Sequence, residues 1–309
     1  MTKPFKSYQY IEGYPMTDRD KIEVGSRFWN TGKWDNYVAP FLPQDCSGMT
    51  FVDMGCNSGL FLSLAQHRGF YSVVGVDSDL DAVKKGWEWR DKNGDTYKII
   101  NRRMEQVIDD LPVADYTVLA NAHYYFTIND WLDYMDKLQY KSRYVIIVTA
   151  EKHHVNRCWA SAGLEDIRTY FKDWEEVGFI DVMPDDGNDP SYRKLWGLCF
   201  KSKHLERVPM SSLDRGNHVQ DQFYKELDEG KDYHDTKYYR IIEKYRRDKW
   251  SKERLEGWFQ DRVKLYEDVK RDGLKRPIYI DKDNKILDGN HRSSIEEHLG
   301  VLNPIVRRT

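Results

Sequence analysis

Two short stretches carry residue types and spacings suited to chemistry. The first is Phe51-Val52-Asp53-Met54-Gly55-Cys56-Asn57-Ser58-Gly59, where an apolar run gives way to an acid, two glycines and an asparagine between them. Glycines in such a turn let the backbone approach a ligand where a β-carbon would collide, and open α/β sheets bind at the carboxyl ends of their strands. A second apolar run, Val73-Val74-Gly75-Val76, ends in Asp77. A carboxylate at that neighbouring strand tip can accept both hydroxyls of a ribose. The plain alternative is a tight strand-to-helix turn. The sharper rival is a dinucleotide site, but its fingerprint is G-x-G-x-x-G with a helix amino terminus facing pyrophosphate. Asp53 so close to the loop would repel a pyrophosphate, and it suits an ammonium or a water-bridged amino acid.

The second stretch is Asp288-Gly289-Asn290-His291-Arg292, between a strand and a helix. Backbone amides face outward at such a junction, and His291 and Arg292 are expected to add cationic donors, a construction suited to phosphate. Asp288 is the candidate to place Mg²⁺ or a phosphoryl acceptor, with Gly289 and Asn290 lending backbone. The alternative is a charged turn with a helix cap. A further candidate is His123, in Leu119-Ala120-Asn121-Ala122-His123-Tyr124-Tyr125-Phe126. It is either a general base that removes a hydroxyl proton or a packing residue; His153-His154 lie on the same rim.

These residues need elements to position them. From about residue 50 to 202, short apolar runs alternate with amphipathic segments, the pattern of a parallel sheet wrapped by helices. Strands are predicted at 50–54, 71–76, 97–100, 116–120 and 144–149, with helices at 60–67, 80–91 and 128–138. Ile167, Tyr170, Phe171 and Trp174 share one apolar helical face, so a helix is predicted over 165–177, stopped by Gly178. Strands 179–183 and 194–201, joined by the turn-rich Pro184–Pro190, make an antiparallel hairpin. Beyond residue 203 come charged, aromatic helices at 237–247 and 252–271, then strands at 277–280, 285–287 and 304–306 with a helix at 293–299. The fold class is therefore α/β for the first part and a smaller α+β unit for the second.

Composition narrows the function. The chain has 309 residues and a formal net charge of −3, so a dedicated polyanion binder is disfavoured. No apolar run approaches the length of a membrane span. Met1–Ser7 is polar, so no secretory signal and a cytoplasmic location are expected. Cys46, Cys56, Cys158 and Cys199 make neither a disulfide framework nor a metal pair.

The first stretch resembles the class I S-adenosylmethionine-dependent methyltransferases, whose first motif is an acid followed by G-x-G-x-G. Asn57 stands at the middle glycine, a variant that family accepts. The resemblance covers about residues 45–203 and implies a Rossmann-like seven-stranded sheet with a closing antiparallel hairpin. It also implies that Asp53, Gly55, Asn57 and Gly59 line the methionine end of S-adenosylmethionine and that Asp77 holds the ribose. Met104 and Glu105 would meet the adenine and Asn121 the methyl group. Arg27, in a lid over 27–34, would pair with the cofactor carboxylate. The Asp/Asn-Pro-Pro-aromatic signature of amino-methylating nucleic-acid enzymes is absent after the fourth strand, as is a Pro-Cys nucleophile, so a nucleic-acid substrate is disfavoured.

Val208–Leu213, Leu265–Gly273, Arg276–Ile280, the Asp-Gly-Asn-His-Arg stretch and Leu299-Gly300 resemble the ParB/sulfiredoxin-like nucleotide-binding fold. That resemblance covers about residues 204–309, with a helical insertion at about 214–257. The loop is nearest the Asp-Gly-His-His-Arg of free-serine kinases. Asn290 stands where sulfiredoxins carry cysteine, which argues against sulfinic acid repair. The resemblance implies ATP, or another nucleoside triphosphate, with Mg²⁺, and an activating carboxylate among Glu226, Glu229, Asp232 and Asp235. The combined expectation is a bifunctional methyltransferase and kinase acting on a small-molecule or glycan hydroxyl or phosphate. The alternatives are a second domain that only binds substrate or dimerises, and a ParB-like DNA-associated protein.

Overall fold

The computed structural model describes residues 33–126, 128–150, 164–181, 195–215, 219–301 and 303–309. The chain forms two compact units, Met1–Lys203 and His204–Thr309. Among the described residues no helix is long and apolar enough to cross a membrane.

The first unit is a seven-stranded sheet in the order β3-β2-β1-β4-β5-β7-β6. Its strands are β1 Thr50–Met54, β2 Ser72–Asp77, β3 Lys98–Asn101, β4 Ala114–Ala120, β5 Ser142–Ala150, β6 Glu175–Ile180 and β7 Leu195–Lys201. The first five run parallel, and β7 lies antiparallel between β5 and β6. Every residue of β1 is buried, because successive side chains enter opposite layers. Phe51 packs with Phe61, Phe70 and Tyr116 on one face. Val52 and Met54 pack with Trp131, Tyr134 and Phe171 on the other. Helices α1 Leu60–His67, α2 Leu80–Asn93, α3 Ile128–Leu138 and α4 Leu164–Tyr170 accompany the strands. At the opposite end of β1 from the glycine turn, buried Asp115 accepts the Thr50 amide at 2.9 Å and Arg143 Nη1 at 2.8 Å, tying together β1, β4 and β5.

One element departs from the sequence pattern. The helix predicted over 165–177 ends at Tyr170, and Glu175–Ile180 is a strand. Ile167, Phe171 and Trp174 do share one buried layer, with Phe171 stacked 4.2 Å from Phe200, but a helical turn followed by a bend satisfies that spacing. Pairing with β7 then claims the following residues for the sheet edge. Gly178 does not stop a helix; a β-carbon there would lie 2.5 Å from the Phe41 ring. Met183, the joining turn Pro184–Pro190, Cys158 and His153-His154 lie outside the described residues.

The second unit has a four-stranded sheet in the order β10-β9-β11-β8. The strands are β8 Leu205–Arg207, β9 Ile278–Ile280, β10 Ile286–Asp288 and β11 Ile305–Arg308. β9 and β10 form a hairpin, β11 returns parallel to β9, and β8 closes the far side antiparallel to β11. Four helices accompany it: α5 Val219–Asp228, α6 Lys237–Arg246, α7 Lys252–Asp272 and α8 Asn290–His298. Their aromatic residues, among them Phe223, Tyr224, Tyr238, Phe259 and Tyr266, make a core with Ile295 of α8. The insertion limit expected near residue 257 falls inside the continuous helix α7, and β8 and α5 were not evident from sequence.

Candidate functional site

The carboxyl ends of β1, β2 and β4 converge. After β1 the chain turns through Gly55 at φ 81°, Asn57 at φ 50° and Gly59 at φ 83°. Gly55 is required by space as well as by φ, since a β-carbon there would lie 2.7 Å from Ala122 Cβ in the segment after β4. Asparagine tolerates the left-handed region better than other non-glycine residues, which explains how Asn57 occupies the middle position. The Gly55 and Cys56 amides donate to the Val76 carbonyl at 2.8 and 3.0 Å, so the turn is bolted to the end of β2.

Asp77 completes that attachment. Its Oδ2 accepts the Asn57 amide at 2.8 Å and its Oδ1 accepts the Asp79 amide at 2.8 Å. The Ser78 amide is also directed at this carboxylate, whose two oxygens offer about four acceptor sites in all, so acceptor capacity is left for a ligand. Asp79 in turn caps α2 by accepting the Asp81 and Ala82 amides. Sequence reasoning missed Asp79; its signal was an acid just ahead of a helix, the ordinary N-cap pattern. Burial raises the Asp77 carboxyl above its usual range, against the pull of these amide bonds.

Asp53 lies beneath the turn and is 2% exposed, with Oδ2 lacking a hydrogen-bond partner among the described residues. Burial, and secondarily the charge of Asp77, pushes its carboxyl up to about 8. At the tip of β4, Asn121 also adopts left-handed backbone at φ 55°. Its amide donates to the Val148 carbonyl at 2.8 Å, and its buried Oδ1 has no partner among the described residues. The site thus presents two buried, under-satisfied acceptors and one partly used carboxylate.

Other expected residues fall differently. Met104 is buried in the core near Val76, and Glu105 pairs with Arg103 at 2.7 Å, both in a short turn after β3. His123 is 1% exposed, with Nε2 3.4 Å from Thr149 Oγ1 and its ring 6.2 Å from Trp131. Of its two readings, this geometry sides with packing, because a base open to an acceptor hydroxyl cannot be sealed from it. Arg27 lies outside the described residues. Of the expected lid over 27–34, Trp34 is a core residue packed against Phe51 and Phe61, and buried Lys33 has its ammonium pushed down to about 7.

A methyltransferase-domain family model matches residues 27–216, more than half of the chain. The chain belongs to that methyltransferase family. No curated protein sequence matches it. Solved structures similar to this methyltransferase include a protein of Pyrococcus horikoshii OT3, at 14% identity over 60% of this chain and 94% of that one, TM-score 0.46. The N-methyltransferase NodS of Bradyrhizobium japonicum WM9 is similar at 14% identity over 56% and 93%, TM-score 0.43. The bifunctional kinase-methyltransferase WbdD is similar at 20% identity over 69% of this chain and 46% of its own length, TM-score 0.46.

In the methyltransferase's second unit, the expected cationic pair does not form. The helix α8 starts at Asn290, directly after left-handed Gly289 at φ 109°, so His291 and Arg292 sit in its first turn. Arg292 folds back over Gly289, donating from Nη1 to the Pro277 carbonyl at 2.7 Å and from Nη2 to Asp288 Oδ2 at 2.6 Å. Nη1 and Nη2 thus each donate to an acceptor within the protein. His291 turns the other way, into the helical core, with Nδ1 2.7 Å from Tyr224 Oη and Nε2 3.4 Å from Tyr238 Oη. Burial, then the charge of Arg262, pushes its imidazole down to about 3, so it is neutral. Of the four candidate carboxylates, Glu226 is engaged with Lys231 and the Lys237 amide, Asp232 with His234, and Glu229 lies 3.8 Å from Lys231.

Proposed function

We propose that the first unit transfers a methyl group from S-adenosylmethionine to a hydroxyl or phosphate oxygen of a small molecule or glycan. The observation that carries this is Asp53, a buried carboxyl with an unpartnered oxygen beneath a left-handed turn at the meeting of three strand ends. A buried acid raised by desolvation is drawn back toward ionisation by a cation placed beside it. An amino-acid ammonium supplies that cation and a pyrophosphate does not. Asp77 keeps acceptor capacity for a ribose hydroxyl, Asn121 at the tip of β4 holds an Oδ1 with no partner among the described residues, and Gly55 leaves the clearance. When bound, S-adenosylmethionine supplies an electrophilic methyl on a sulfonium. The chain's part is then to hold donor and acceptor in line, a positioning effect that can carry much of the rate.

Calorimetry of the full chain with S-adenosylhomocysteine tests the reading directly. Binding that is lost in Asp77→Ala is the expected result, and absence of binding by the parent would sink it.

For the second unit we propose a phosphate-binding module of ParB/sulfiredoxin-like architecture, with nucleoside triphosphate and Mg²⁺ as one ligand. Support comes from the strand, left-handed glycine and helix start at Gly289–Asn290, where the first amides of α8 lack intrahelical acceptors. Phosphoryl transfer from ATP to the acceptor of the first unit is the kinase form of this reading. Release of ADP in the presence of that acceptor is its test, and binding without turnover leaves a substrate-holding or dimerising unit.

A further inference from the structure

Four helices of the second unit bring one cation and a set of hydroxyl and ring groups together. Tyr224 comes from α5, Tyr238 from α6, Trp258 and Arg262 from adjacent turns of α7, and His291 from the first turn of α8. Arg262 Cζ lies 4.3 Å from the centre of the Trp258 ring, which stands 5.5 Å from the His291 ring. Tyr238 is buried with its ring 5.8 Å from His291 and 6.1 Å from Trp258.

Arg262 is the anomaly in this group. Its Nε is buried with no hydrogen-bond partner, and no carboxylate pairs with it among the described residues. Arg143 and Arg215 also bury an Nε with no partner among the described residues, but each pairs with a carboxylate, Arg143 with Asp115 and Arg215 with Asp221 and Glu297, as Arg292 does with Asp288. Stacking on Trp258 offsets part of the cost of the charge. It does nothing for the buried Nε–H, which still lacks an acceptor.

The hydrogen bonds around His291 set the direction of the neighbouring donors. A neutral imidazole has one N–H and one acceptor nitrogen. In the tautomer whose Nδ1 accepts the Tyr224 hydroxyl, 2.7 Å away, Nε2 carries the proton. The Nε2–H then donates to Tyr238 Oη. Tyr238 Oη thereby accepts from His291, accepts from the Gln220 side chain as well, and keeps its own O–H to give. A guanidinium with no carboxylate beside it among the described residues and with a partnerless buried Nε–H, next to a hydroxyl with its hydrogen to give, offers the donors that a tetrahedral oxyanion takes up.

We propose that Arg262, with the hydroxyl of Tyr238, binds a phosphate group of a small-molecule ligand. His291 is a positioning residue that orients Tyr238. The inference rests on the phosphate-binding reading of the second unit, in that the phosphate belongs either to a nucleotide or to a phosphorylated substrate. It moves the cation of that unit from Arg292 and His291 to Arg262, which the sequence motif does not contain.

The test uses the full chain and calorimetric titration with three probes: pyrophosphate, glycerol 3-phosphate, and ATP with Mg²⁺. The parent should bind at least one of them, and Arg262→Gln should weaken that binding by about tenfold or more, as loss of a charge-assisted pair requires. Arg262→Lys keeps the charge without the fork and should fall between the two. Tyr238→Phe should weaken binding and leave the probe-free unfolding temperature closer to that of the parent. Should Arg262→Gln fail to fold, the Lys and Phe variants carry the comparison. Equal affinities in parent and variants, or no binding of any probe at millimolar concentration, would overturn the proposal. Binding of glycerol 3-phosphate but not ATP, lost with Arg262, would uphold this site and defeat the nucleotide reading. ATP binding unaffected by Arg262→Gln would do the reverse.

Discussion

Replacing Asp53 by asparagine exchanges an ionisable group for a neutral amide of the same size, and its effect can be worked from the structure. In the folded chain Asp53 holds its proton up to about pH 8, whereas an unfolded aspartate ionises near ~3.9. Between those limits the unfolded chain has released a proton that the folded chain keeps. Stability is therefore greatest below the unfolded pKa and falls as pH rises, by about 1.4 kcal/mol per pH unit, until the folded carboxyl ionises too. Between pH 5 and 7 the parent should lose about 3 kcal/mol at this residue, and Asp53→Asn none of it. Asp77 is also raised by burial and adds slope of the same sign to both proteins, so the difference between them is the readout. Urea denaturation of both proteins at a series of pH values gives that difference. Saturating S-adenosylmethionine should flatten the slope of the parent by favouring the ionised carboxyl. Stability curves that stay parallel to within about 0.5 kcal/mol would refute the claim that Asp53 is a buried, proton-holding acid.

Four further outcomes are expected. Asp77→Ala should weaken cofactor binding by orders of magnitude, since two bonds to a charged acceptor at ~1.5–3 kcal/mol each are lost and the Asn57 and Asp79 amides lose their anchor; calorimetric affinity within about twofold of the parent would mean the nucleoside site is elsewhere. Gly55→Ala should cost ~1–3 kcal/mol in thermal denaturation, from φ strain and the clash with Ala122. Pairing it with Ala122→Gly should recover the clash and not the strain. Arg143→Ala should destabilise the first unit by ~3–5 kcal/mol, because Asp115 is fully buried and loses its guanidinium. His123→Ala should lower the unfolding temperature while leaving the shape of the methyl-transfer pH profile unchanged; loss of a limb of that profile would restore His123 as a base.

The sequence by itself determined the parallel strands and the glycine turn between the first strand and its helix. Strands that are buried on both faces read as continuous apolar runs, so Thr50–Met54 and helices Leu60–His67 and Ile128–Leu138 were legible to the residue. The glycine turn was legible because left-handed backbone restricts residue type. The strand at Glu175–Ile180 was not, since a two-stranded edge and a helix face are satisfied by the same local spacing and only pairing with β7 chooses between them.

What tertiary structure alone decided is how each charged group is used. Local spacing placed Asp53 and Asp77 at neighbouring strand ends, but the proton on Asp53 and the amides held by Asp77 come from burial and from a turn that the two strands share. In the second unit the motif named His291 and Arg292 as cations. Helices contributed from elsewhere in the chain surround His291 with tyrosines and strip its charge, while Arg292 meets Asp288 and the Pro277 carbonyl. Protonation and hydrogen-bond commitment depend on the groups within a few ångströms, and those groups are distant in sequence.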